Sequence, residues 1–132
     1  MGAICNGPRY INGPIGTFSG YYTTDFYGAL VGIFLEDTLP TSAPPPLRFY
    51  VSNNTEGGTA TDFSVLAPEI GEVFFIGDGL TGTGTGAVQA FIVPATATHL
   101  YLGYVDGTDG IPQEYTGNAG GLRVILRLHQ VN

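Results

Sequence analysis

The stretch Asp106–Asn118, DGTDGIPQEYTGN, has the residue types for metal chemistry. Asp106, Asp109 and Glu114 offer carboxylates, Asn118 an amide oxygen, and the Gly and Pro punctuation lets backbone carbonyls turn inward. A hard cation such as calcium collects six to eight oxygens of this kind. The spacing is not that of an EF-hand, which alternates its acids and ends on a Glu at the twelfth position. The same composition also describes a long solvated turn. Both readings stay open on the residues alone.

Other chemistry is thin. His99 and His129 each lie inside an apolar stretch with no nucleophile motif nearby, and Ser19, Ser42, Ser52 and Ser64 have no GxSxG setting. Glu36 and Asp37 are adjacent, so on an extended chain they point apart. Cys5 is the single cysteine, which excludes an internal disulfide, and no His/Cys group has zinc spacing. The run LTGTGTG at 80–86 lacks the lysine of a phosphate-binding loop and reads as flexible loop. The expectation is a protein that is not an enzyme.

The composition narrows the class. The 132 residues suffice for one domain with a core, and the expectation is a single unit over 1–132. Charged residues make up 11%, there is no Lys, and the net charge is -7. Such a surface repels phosphate backbones, so nucleic acid is not an expected partner. The longest apolar run, Gly28–Leu35, has eight residues, whereas a spanning helix needs about 20, so no membrane span is expected. The N-terminus has no basic segment followed by an apolar one, so no signal peptide is read in this chain. Asn53-Asn54-Thr55 is a glycosylation triplet, a weak sign on its own.

The elements that would present the 106–118 loop are strands. Gly28–Leu35 reads as a buried strand, Leu47–Val51 as an alternating one and Phe63–Ala67 as a short one. Glu72–Ile76, Ala87–Val93 (stopped by Pro94) and His99–Tyr104 follow. Gly121–Val131 has the clearest alternation: Leu122, Val124, Leu126 and Leu128 interleave with Arg123, Ile125, Arg127 and His129. Residues 36–46 form a proline-stiffened loop. With no helix signal, the pattern predicts an all-β fold, an antiparallel β-sandwich.

Three blocks resemble the LecA-type calcium-dependent galactose-binding lectins and the related β-sandwich domains of PEP-CTERM-type bacterial exported proteins. They are GPRYINGPIG at 7–16, FYGALVGIF at 26–34, and Asp106 with PQEYTGNAGGLRV at 112–124. The resemblance implies a calcium site in which Asp106 gives a carboxylate, Glu114 its backbone carbonyl, Asn118 its amide oxygen and Asn6 a carbonyl from the other end of the chain. It also implies that sugar hydroxyls complete the metal's coordination at Asp106, Glu114 and Asn118. Gly117 stands where the family has Asn or Asp, and five residues, 107–111, replace one; Asp109 in that insertion is the candidate replacement ligand. The family's galactose-gripping His and Gln are absent before FYGALV, leaving Tyr21 and Tyr22 as candidates to stack on a sugar ring.

The resemblance further implies a secreted, calcium-dependent carbohydrate-binding module, expected to lack the family's first strands. A sandwich without them exposes a sheet edge. The alternative expectation is therefore a self-assembling extracellular subunit, a homo-oligomer or polymer, with calcium as a staple and a neighbouring chain completing the sheet.

Overall fold

A computed structural model of the protein describes residues 16–20, 22–23, 29–50, 58–104, 107–108, 111–112 and 119–130. The described residues contain strands and no helix, as the sequence predicts. In chain order the strands are β1 (Tyr22–Thr23), β2 (Leu30–Leu35), β3 (Arg48–Tyr50), β4 (Thr59–Ala60), β5 (Val65–Leu66) and β6 (Val73–Phe75). Then follow β7 (Leu80–Gly82), β8 (Thr85–Val88), β9 (Ala90–Phe91), β10 (His99–Tyr104), β11 (Gly107–Thr108) and β12 (Ile111–Pro112). None of the described residues lies in a helix long and apolar enough to cross a membrane.

The central sheet has the order β10-β2-β6, antiparallel throughout. β2 is its middle strand, and every residue in it except Ile33 is buried. A strand covered on both faces reads as an unbroken apolar run, which is why GALVGIFL carries no alternation. Smaller ladders surround it. β7 pairs β8 and β11 pairs β12 in antiparallel fashion, whereas β1-β3, β3-β4 and β5-β9 are parallel. The expected all-antiparallel arrangement is corrected at those three short ladders. Intervening strands separate β1 from β3 and β5 from β9, which returns the chain in the same direction.

Aromatic rings carry the core around the sheet. Phe74 stacks on Phe34 with centroids 5.1 Å apart and tilts against Phe91 at 5.2 Å. Phe91 meets Phe63 edge-on at 5.8 Å, Phe63 meets Phe49 at 6.4 Å, and Phe49 meets Phe75 at 5.9 Å. Phe74 and Phe75 are consecutive on β6 and so face opposite ways. The rings therefore run from one face of the sheet to the other, with the fully buried Phe49 as the turning point. Each such pair contributes about 0.5–1.5 kcal/mol beyond the area it buries.

Three sequence expectations change. The run 80–86 is an ordered hairpin, β7–β8, and not a flexible loop. Asp78 holds it: Oδ1 accepts from Leu80 N at 3.0 Å and Oδ2 from Gly84 N at 2.6 Å. Gly84 and Gly86 take positive φ, which the turn and its bulge require. The predicted strand 87–93 breaks at Gln89 and ends at Phe91. Gln89 is 5% exposed, and its Nε2 donates to Thr61 O at 2.9 Å and Phe63 O at 2.8 Å. That clamp turns the chain off β8 and into the β5–β9 ladder. Finally, the segment with the clearest alternation forms no strand over residues 121–130, all of them exposed. Alternation sorts side chains onto two faces, but a strand also needs a neighbour to bond, and among the described residues this segment has none.

Candidate functional site

The residues expected to bind calcium and sugar divide sharply. Asn6, Asp106, Asp109, Glu114, Asn118 and Tyr21 lie outside the described residues. Tyr22 opens β1, with Arg48 as its Cα partner on β3. The chain around the insertion is informative. β11 and β12 pair Gly107 with Pro112 and Thr108 with Ile111. Residues 107–108 thus run antiparallel to 111–112. They bring the residue after Asp106 beside Pro112, the first residue of the block that carries Glu114 and Asn118.

Among the described residues no group of three or more His, Cys, Asp or Glu side chains is placed to hold a metal. One smaller polar cluster sits where the chain enters β10. Thr98 Oγ1 donates to Asp37 Oδ1 at 2.8 Å and lies 2.8 Å from His99 Nδ1, which is 3.6 Å from Asp37 Oδ1. A hydroxyl has one proton. Given to Asp37, it leaves Thr98 to accept from a protonated His99 Nδ1. The His99 and Asp37 side chains are 49% and 80% exposed, and an ion pair that open is worth little. The cluster ties the start of β10 to the loop after β2. The sequence shows both residues but not their meeting, since 61 positions separate Thr98 from Asp37.

Glu72 is the buried acid of the described chain. Its Oε2 accepts from Glu69 N at 2.7 Å, while its own N–H donates to Glu69 O at 3.2 Å, closing the turn before β6. Burial pushes its carboxyl above the usual range, the Glu69 N–H pulls it back, and the charge of Glu69 adds to the rise. Against the same turn pack Pro40 and Pro44, whose rings lie 3.2 and 3.4 Å from where a Cβ on Gly71 would sit. That contact gives the proline-rich loop its place.

The two edges of the central sheet differ. On the β6 side, Ser19 covers the strand: it is fully buried, its N–H donates to Gly71 O at 2.8 Å, and its Oγ accepts from Val73 N at 2.8 Å. On the β10 side no strand follows among the described residues. Tyr101, Leu102 and Tyr104 are exposed there, although Leu100 of the same strand packs on the core. Among the described residues this six-residue edge has no second partner strand, and such an edge with large apolar side chains is a template for another strand. HLYLGY shows the strand in the sequence. It does not show which edge of that strand β2 takes.

The exposed segment Gly121–Gln130 carries the complementary features. Its apolar side chains range from 37% exposed at Val124 to 90% at Leu128. It also differs in charge from the rest of the chain. Residues 1–120 hold all eleven acids and two arginines, a net -9, whereas residues 121–132 hold Arg123 and Arg127 and no acid, a net +2.

No family model matches the chain, no curated protein is detectably similar to it, and no solved structure matches its fold.

Proposed function

We propose that this chain is a non-enzymatic, extracellular β-sandwich subunit that builds a homo-oligomer or polymer by letting a neighbouring copy complete its sheet. The observation that carries this reading is the asymmetry of the central sheet. Ser19 accepts from Val73 N at the β6 edge, while among the described residues no strand pairs the outer edge of β10, where Tyr101, Leu102 and Tyr104 are exposed. Strand addition satisfies such an edge through main-chain hydrogen bonds, with specificity from alternate side chains. The low charge and the absence of lysine fit it, since edge lysines are a common device for blocking this kind of pairing. Light scattering across a concentration series, with electron microscopy, tests the reading. Oligomers or polymers are expected, and a monomer at every concentration sinks it.

A second reading, calcium-dependent carbohydrate binding, is favoured by the Gly107–Pro112 pairing. That pairing sets residues 107–108 antiparallel to 111–112. The length by which the loop exceeds the lectin pattern is thereby taken up between Gly107 and Pro112. In the assembly reading the same ion is a staple. Glycan-array binding that EDTA abolishes supports sugar recognition; assembly that EDTA abolishes, with no glycan signal, supports the staple.

A further inference from the structure

We propose that the strand completing the central sheet is the segment 121–130 of a second copy, added along the edge of β10 that no described strand pairs. The inference rests on the assembly reading and names the two surfaces that meet.

Four observations converge on this pair. The segment is exposed over its whole described length and bonds no strand of its own chain among the described residues. At about 3.3 Å per residue it spans the six residues of β10 with chain to spare. Its alternation supplies one apolar face, Leu122, Val124, Leu126 and Leu128. β10 offers a matching face: Leu100, Leu102 and Tyr104 stand opposite Phe34, Gly32 and Leu30 of β2, so that face continues into the core. An added strand with its apolar face on that side covers Leu102 and Tyr104. Its other face, Arg123, Ile125, Arg127 and His129, then continues the face of His99 and Tyr101.

Charge selects the partner. A segment of net +2 meeting a body of net -9 is attracted to a second copy of this chain, which like-charged bodies would otherwise repel. Because donor and acceptor are different surfaces of one molecule, the contact is head-to-tail. Each added copy brings a new open edge, so the association continues into rings or filaments unless two copies exchange segments and close as a dimer.

Two full-length variants test the pairing. Leu126→Asp places a charge on the apolar face of the donor at a position 59% exposed in the single chain, so folding is unaffected. Leu102→Asp places one on the acceptor edge. Each variant alone is expected to run as a monomer where the wild type assembles. Mixed in equal amounts, they are expected to form a 1:1 heterodimer, because one retains the edge and the other the segment. If Leu102→Asp does not fold, Leu126→Asp added in excess to wild type is expected to cap and shorten the assemblies. Assemblies of wild-type size from Leu126→Asp alone overturn the pairing and leave the assembly reading standing. A wild type that never assembles overturns both.

Discussion

Phe74 occupies the space that any side chain on Gly32 would need: a Cβ there would lie 2.6 Å from the ring Cζ and 2.8 Å from Cε2. The two are Cα partners across β2 and β6, and the missing side chain lets the Phe74 ring lie over β2 and reach Phe34. Gly32→Ala therefore forces the ring off Phe34. A loss of about 1–3 kcal/mol is expected in urea unfolding, the usual cost of overpacking a core. The double variant Gly32→Ala/Phe74→Leu is expected to recover part of that loss, because the smaller side chain clears the new methyl. A Gly32→Ala protein as stable as wild type would show that the packing does not depend on this contact.

Gln89 gives a second measurable dependence. Its amide donates to two carbonyls, Thr61 O and Phe63 O, from a buried position, while its Oε1 has no partner. Gln89→Met keeps the length and removes the donors. The two part-buried carbonyls then lose this donor, at a cost of up to about 1–3 kcal/mol. Because the clamp also positions Phe63 against Phe91 and Phe49, the near-ultraviolet circular dichroism of the aromatic core is expected to weaken in the same variant. Unchanged stability would mean that water replaces the amide without loss.

These two dependences show what the sequence does and does not carry. The strand at Leu30–Leu35 is legible because burial on both faces leaves an apolar run, and His99–Tyr104 is legible to the residue. Gly32 inside that run gives no sign that it faces Phe74, which lies 42 positions further on. The hairpin at 80–88 is hidden by its repetitive composition, since the Asp78 carboxylate and two left-handed glycines order it and hydropathy records neither. Leu122–Leu128 shows the opposite failure. The alternation is plain, but the identity of the partner strand is not a property of the segment itself. Of the expected calcium and sugar residues, only Tyr22 falls within the described chain, so the loop at 106–118 is read through Gly107, Thr108, Ile111 and Pro112 alone.

Glu72 predicts a pH dependence. Its carboxyl is raised above 4.5 in the folded chain, first by burial. A raised acid favours the folded state in its protonated form. That contribution is fully present below pH 4.5 and is lost as the pH rises through the folded value. Glu72→Gln fixes the neutral form and can still accept from Glu69 N. The variant is expected to gain stability over wild type near neutral pH, and the gap is expected to close towards pH 4.5. Urea midpoints measured across that range check it. A gap independent of pH would show that the Glu72 carboxyl titrates alike in the folded and unfolded chain.

The last prediction concerns calcium. A ligand that binds only the folded chain raises stability in proportion to the logarithm of its concentration, by about 2.7 kcal/mol at a hundred times its dissociation constant. Gly107 and Pro112 are paired, so the residue after Asp106 stands beside the start of the block holding Glu114 and Asn118. If those oxygens share one ion, calcium raises the melting temperature of the wild type and EDTA reverses the rise. Asp106→Ala is then expected to melt as wild type does in EDTA and to show no rise with calcium, because a carboxylate of the proposed set is gone. Asp109→Ala separates the proposed replacement ligand from the rest. A reduced rise assigns Asp109 to the ion, and a full rise confines Asp109 to the hairpin. No calcium shift in the wild type would remove the metal from this loop, and with it the sugar reading, while leaving the open edge of β10 and its proposed partner untouched.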